Sequence, residues 1–257
     1  MKKFLSALSV MVAVSSAAMA EEVTIAVDSK YPPYTFKKGG EAKGAYVDIM
    51  KEADKLMPSF ELTFKAMSWK KGLEAMQSGE YVALIPPYKN KDRDYMTYGE
   101  PFSMETVAVL CNKKNIAEKP KNYPADYKGL TFANNTGFAS PGEAFFKEVK
   151  AGNIKVVEAK STQVNLLKLA SREVDCYAND SLVMAQAMAK LAKGNATRQR
   201  EFEDIDTFAT VSENAVYVGV SVKNDHPSKA KFREEMNAAI KQLQASGKVD
   251  EILANYK

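Results

Sequence analysis

The sequence holds one histidine and two cysteines among 257 residues, and that scarcity removes several chemistries at once. A single imidazole cannot build a histidine-rich metal centre. Nowhere do histidine, cysteine and acidic residues recur at metal-ligand spacing, so no metal is expected. Neither a Gly-x-x-x-x-Gly-Lys loop for phosphates nor a Gly-x-Ser-x-Gly nucleophile turn is present. The lone His226 precedes Pro227 at the start of an amphipathic stretch, where a solvated or capping role is the expectation. These absences disfavour an enzyme and require no cofactor. Excess charge is missing too. The formal net charge is +4, Lys2 and Lys3 supply two of those charges, and the other lysines are spread along the chain, which leaves no footprint for nucleic acid.

A long apolar run occurs once, at the start. Lys2 and Lys3, the apolar residues Phe4 to Val14 and the small-residue site Ala18-Met19-Ala20 make residues 1–20 a secretory signal peptide, cleaved before Glu21. No second such run follows and no cysteine stands just after the cleavage site. The expectation is a soluble, unanchored protein of the Gram-negative periplasm. Cys111 and Cys176 lie at the ends of apolar runs and can sit on neighbouring strands. In an oxidising compartment a disulfide between them is expected, with two buried free thiols as the alternative.

The rest of the chain alternates short β-rich runs with amphipathic helical ones, the pattern of open α/β sheets. Val23 to Val27, Phe60 to Phe64 and Tyr81 to Ile85 read as strands. Ile49, Met50, Ala53, Leu56 and Met57 mark one helix face closed by Pro58, and Ser68 caps a second helix beginning at Trp69. Another βαβαβ set follows, with strands at Leu130 to Ala133, Ile154 to Val157 and Val174 to Ala178. Its helices open at Ser140-Pro141-Gly142-Glu143, a cap, first-turn proline and capping-box acid, and cover Thr162 to Ser171 and Ser181 to Lys193. Thr106 to Cys111 and Ala215 to Val222 read as two crossings, after which the helices beyond Pro227 pack back on the first set. The expected fold is α/β, two doubly wound lobes joined by two crossing strands, with 21–110 and 217–257 in one lobe and 111–216 in the other. Two crossings make a hinge, and loops facing each other across it imply closure around a solute.

Open α/β sheets hold ligands at the carboxyl ends of their strands, and the candidate residues come from there. After Ile85, Pro86 and Pro87 turn the chain into a loop carrying Tyr88 and Arg93. The planar fork of an arginine matches a carboxylate with two parallel hydrogen bonds, although flanking Asp92 and Asp94 also suit a solvated surface charge. After Val27, Pro32 and Pro33 stiffen a loop that presents Tyr31 and Tyr34, either to a solute or to the domain surface. Trp69 falls in the first turn of its helix, near the same end, where core packing is the blander role. In the loop Asn134-Asn135-Thr136-Gly137, the backbone N–H groups of Thr136 and Gly137 offer an anion site beside Asn135. Asp180, just past a strand, can cap the next helix and receive an ammonium group.

With Tyr31-Pro32-Pro33-Tyr34, Gly44-Ala45-Tyr46-Val47-Asp48-Ile49, the Arg93 loop and the Asp180 loop in this order, the chain resembles the bacterial extracellular solute-binding proteins of family 3. These are polar-amino-acid receptors of ABC importers, and the similarity extends through Gly247 to Tyr256. The resemblance implies a type II periplasmic binding fold and a non-enzymatic monomer that hands an amino acid or related carboxylate to an inner-membrane ABC permease. It assigns Arg93 to the ligand's α-carboxylate, with help from the backbone of Thr136. Asp180 is assigned to the α-ammonium group, and Tyr31 and Trp69 to the cleft wall. The chain departs from the family in having Pro86-Pro87-Tyr88-Lys89-Asn90 where Ser-x-Ser-x-Thr is usual, and Asn134-Asn135-Thr136-Gly137 where Gly-Thr-Thr or Gly-Thr-Ser is usual. The missing serine hydroxyls make a different polar or aromatic carboxylate the alternative ligand, with Lys89 and Lys91 either favouring extra negative charge on it or staying solvated. Two other classes are open on this fold. One is an enzyme akin to the cyclohexadienyl dehydratases, using Asp180, Glu100 or Lys89 as acid or base; the other is a periplasmic sensor subunit.

Overall fold

Strand β1 (Glu21–Asp28) centres the first lobe, because Val23, Ile25, Ala26 and Val27 are buried on both of its faces. The structure is a computed structural model describing residues 20–116 and 118–256. The leader read at 1–20 lies outside the described residues except for Ala20. A small antiparallel sheet follows, made of β2 (Lys30–Tyr31), β3 (Thr35–Lys38) and β4 (Glu41–Lys43). Helix α1 (Ala45–Asp54), strand β5 (Phe60–Met67), helix α2 (Trp69–Ser78) and strand β6 (Ala83–Ile85) complete the first βαβαβ set. β1 pairs in parallel with both β5 and β6. Strand β7 (Met96–Tyr98) forms an edge, and β8 (Ser103–Asn112) carries the chain into the second sheet.

The second lobe contains a turn of 3-10 helix at Ala125–Tyr127, then β9 (Thr131–Asn135), α3 (Glu143–Lys150), β10 (Lys155–Ala159), α4 (Thr162–Ala170) and β11 (Cys176–Asp180). Helices α5 (Ser181–Ala192) and α6 (Ala196–Glu203) and strand β12 (Ile205–Val216) finish it. The chain returns through β13 (Gly219–Ser221), inserted antiparallel between β6 and β7, and ends in α7 (Lys229–Ala245) and α8 (Lys248–Ala254). The first sheet runs β5-β1-β6-β13-β7 and the second β10-β9-β11-β8-β12. β8 and β12 are antiparallel partners from Ser103 opposite Val216 to Asn112 opposite Ile205. Cys111 faces Cys176 across β8 and β11, and the two are joined by a disulfide that closes 65 residues of chain.

Each lobe has its own core. Ile25, Met50, Phe102 and Phe232 are buried together in the first. In the second, Leu166 and Tyr177 cover one face of the sheet and Phe132 and Phe145 the other. Among the described residues no helix is long and apolar enough to cross a membrane.

Two helices begin or end differently from the sequence reading. α1 starts at Ala45 because Gly44, at φ 119°, lies against the Tyr34 carbonyl; a Cβ there would come within 2.3 Å of that oxygen. It stops at Asp54, where the chain tightens so that Leu56 N–H donates to Ala53 and Met57 N–H to Asp54. α3 starts at Glu143 rather than Ser140, with Gly142 at φ 87° before it and no side-chain cap. The Ser140 hydroxyl meets the Asn179 side chain inside the lobe instead. The small sheet, α6 and most of β12 have no counterpart in the sequence reading.

Candidate functional site

Arg93 is held where the two lobes meet. β6 ends at Ile85, the proline pair carries the chain round, and Tyr88 forms an isolated bridge with Val216 that pins the loop to the end of β12. Arg93 is only 8 % exposed. One terminal nitrogen donates to the carbonyl oxygen of Gly137 at 2.9 Å, and the guanidinium lies 5.5 Å from the ring centre of Trp69. The Trp69 indole N–H donates to the same carbonyl at 3.2 Å. Among the described residues no carboxylate forms an ion pair with Arg93, Asp92 and Asp94 included, and burial lowers its pKa. A buried guanidinium with one hydrogen-bonded carbonyl and the Tyr98 hydroxyl beside it, both uncharged, retains unused donors for an anion.

The loop opposite presents the Gly137 carbonyl to Arg93, and of the two N–H donors expected there that of Thr136 is already engaged. The Thr136 N–H is taken by the Ala159 carbonyl at 3.0 Å, because the loop continues the pairing of β9 with β10, and the threonine hydroxyl turns to the same oxygen. The Asn135 side chain points into the second lobe, where it meets Thr162, Asn165 and the Tyr177 hydroxyl. Phe138 fills the space between the lobes, with its ring edge-on to Tyr31 at 5.5 Å and to Trp69 at 5.9 Å. Asp28, Tyr31, Trp69, Tyr88, Arg93 and Phe138 together line a cavity of about 30 Å³. That volume suits a single water and is too small for an amino acid. A broader cleft bordered by Asn135 and Thr136 shares Asp28, Trp69 and Phe138 with it.

Beside the cavity stand buried acids. Asp28, the last residue of β1, is 3 % exposed and is pushed up to about 7 by burial. Glu105, on β8, is 2 % exposed and accepts from Tyr31 at 2.5 Å, from Tyr46 at 2.7 Å and from Tyr88. Burial first and the charge of Asp180 second raise it to about 8, against the pull of those hydroxyls. Asp180 is 1 % exposed and caps α5 through the Val183 N–H at 2.9 Å. Burial pushes it up to about 6, opposed by that N–H and by the neighbouring Tyr34 hydroxyl. No lysine, arginine or histidine forms an ion pair with any of the three among the described residues.

The sequence-derived candidates therefore fall into separate groups. Tyr31, Trp69, Tyr88, Arg93 and the Gly137 carbonyl converge. Asp180 lies on the Glu105 side, near Tyr31 and Tyr88, and Tyr34 stacks on Tyr46 at 4.4 Å. Lys91 pairs with Glu143 across the lobes at 2.6 Å, and Lys89 is exposed. Glu100 pairs with Lys241 at 3.1 Å, away from the cavity. Sequence reasoning missed Asp28, Glu105 and Phe138. Asp28 carried a readable signal, an acid at the carboxyl end of a buried strand; Glu105 carried a fainter one, an acid beside an apolar strand run. The described residues contain no group of three or more candidate ligands for a metal ion.

The bacterial extracellular solute-binding proteins, family 3, match the chain over residues 23–257. No curated protein sequence matches it. Among solved structures, a histidine kinase sensor domain with similarity to periplasmic binding proteins superposes with a TM-score of 0.74 at 16% identity, over 92% of this chain and 96% of that one. An ancestral arginine-binding protein bound to arginine gives 0.73 at 21% identity, over 93% and 99%. The ancestral amino acid-binding protein AncCDT-1, a precursor of cyclohexadienyl dehydratase, gives 0.68 at 18% identity, over 91% and 94%. At these identities the likeness is one of fold.

Proposed function

The chain belongs to the bacterial extracellular solute-binding proteins of family 3, and from that premise we propose a periplasmic receptor that closes two lobes on a small carboxylate-bearing solute and delivers it to an ABC permease. The leader at 1–20, the monomeric state and the division of the chain into 21–110 with 217–257 and 111–216 are parts of the same proposal. The carrying observation is Arg93, a nearly buried cation between the lobes with no carboxylate partner among the described residues. In this reading the ligand's carboxylate displaces the Gly137 carbonyl from the guanidinium fork and takes two parallel charge-assisted hydrogen bonds. Trp69, Tyr31 and Phe138 cover the ligand's apolar atoms. Closure excludes water and strengthens each polar contact.

A thermal-shift screen of amino acids and organic acids tests this reading, with hits confirmed by calorimetry. A reversible ligand with a dissociation constant on the order of micromolar, roughly 8 kcal/mol, is expected. A flat screen over both compound classes rejects it.

One observation favours a second reading. Glu105 at about 8 and Asp28 at about 7 have the protonation behaviour of general acids beside a closable cavity. A dehydratase built this way turns over prephenate or arogenate, whereas the receptor binds without turnover.

A further inference from the structure

The Tyr31 and Tyr88 hydroxyls both donate to the same oxygen, Oε2, of Glu105, while Tyr46 donates to Oε1 at 2.7 Å. Tyr31 and Tyr88 also line the cavity that contains Arg93. A phenol has one proton to give and lone pairs to receive with. Once its proton is committed to Glu105, what each hydroxyl keeps for a ligand is acceptor capacity.

We propose that Glu105 is a specificity-determining positioning residue: it orients the hydroxyls of Tyr31 and Tyr88 as acceptors for a ligand ammonium group and supplies the counter-charge behind them. The proposal rests on the receptor reading and sharpens it. Arg93 takes the carboxylate end of the ligand, and the paired tyrosines take a cationic nitrogen. The groups facing Glu105 are Tyr31 on β2, Tyr46 on α1, Tyr88 after β6, Ser103 on its own strand through Tyr46, Tyr34, and Asp180 on β11. None of them is a cation. A bound ammonium group is thus the positive charge that Glu105 lacks, and its arrival favours the ionised carboxylate. Burial raises Glu105 to about 8, and an ammonium group held against the paired hydroxyls favours the ionised carboxylate that accepts from both, so binding is expected to release protons near neutral pH.

The test is calorimetry on the purified chain with the L-amino acids, each matched to its desamino acid, which keeps the carboxylate and loses the ammonium group. The best-bound amino acid is expected to bind at least ~10-fold tighter than its desamino partner, about 1.4 kcal/mol. Titrations in two buffers of different ionisation enthalpy are expected to show proton release near neutral pH. Glu105→Gln is expected to weaken the amino acid at least ~10-fold, leave the desamino acid within ~3-fold and abolish the proton release. Tyr88→Phe keeps the shape of the wall and removes one acceptor, so it reads the same selectivity if Glu105→Gln fails to fold. Equal or tighter binding of the desamino acid, or selectivity that survives both substitutions, overturns the role of Glu105 and leaves the receptor standing. Binding of neither series overturns the receptor reading and this role with it.

Discussion

The carbonyl oxygen of Gly137 accepts from the guanidinium of Arg93 at 2.9 Å, a contact that joins the first lobe to the second without any compensating charge. It satisfies one of the five N–H donors of the arginine, so the pair is a closed arrangement that a carboxylate can improve upon.

Replacing Arg93 by alanine removes the only guanidinium in the cavity lining. Affinity for a carboxylate ligand is expected to fall by at least ~2 kcal/mol, roughly thirtyfold, because the carboxylate is then buried without its partner. Arg93→Lys keeps the charge and loses the fork, so it should recover only part of that affinity. Titration calorimetry on both variants reads the difference, and wild-type affinity in Arg93→Ala would remove Arg93 from the site.

Trp69 is the sole tryptophan of the chain and donates to Gly137 across the lobes at 3.2 Å. Its fluorescence therefore reports closure directly. Parting the lobes hydrates the indole and should move its emission to longer wavelength, while a saturating ligand should reverse the shift. An emission spectrum indifferent to a calorimetrically proven ligand would mean that binding leaves the Trp69 contact untouched.

Stability should fall as pH rises toward 8. Burial raises Asp28 to about 7, Glu105 to about 8 and Asp180 to about 6. In the unfolded chain these groups ionise near ~4. Between those limits the folded protein binds more protons than the unfolded one, so its stability is highest below the unfolded values and is lost as pH climbs through the folded ones. The melting temperature of the unliganded protein should drop between about pH 5 and pH 8 and then level off. Glu105→Gln should flatten the upper part of the curve. A rising melting temperature over that window would show that other groups dominate the linkage.

The disulfide closes 65 residues of the second lobe, and in the chain-entropy account a loop of that length is worth about 4 kcal/mol. The Cys111→Ala, Cys176→Ala double variant should lose about 2–4 kcal/mol in denaturant unfolding, with the loss confined to the second lobe. Phe132 and Phe145, packed beside the bridge, should lose protection in hydrogen exchange before Ile25 and Met50 do.

Much of this architecture is legible along the chain because periodicity reports burial. Val23 to Val27 is apolar apart from Thr24 and is covered on both faces in the structure, and Phe232, Met236, Ala239, Ile240 and Leu243 repeat at helical spacing and are all buried in α7. Most of β12 is not legible in the same way, since Asp206, Thr207, Glu213 and Asn214 are polar and its fit comes from pairing with β8. Ser140 reads as a helix cap because local chemistry favours it there, but tertiary hydrogen bonding to Asn179 claims the hydroxyl. In the site, the place of Arg93 follows from the strand and proline pair before it. The meeting of Glu105 with Tyr31, 74 residues away in sequence, leaves no local trace.

The pairing of β8 with β12 has a mechanical consequence. Both passages of the chain between the lobes run as one laddered ribbon, with Ser103 opposite Val216 and Glu105 opposite Asn214. Neither passage can stretch or swivel without dragging its neighbour. Whatever opening the molecule undergoes is channelled into flexing and torsion of a single two-stranded strap, a stiffer and more directed motion than two separate tethers would permit.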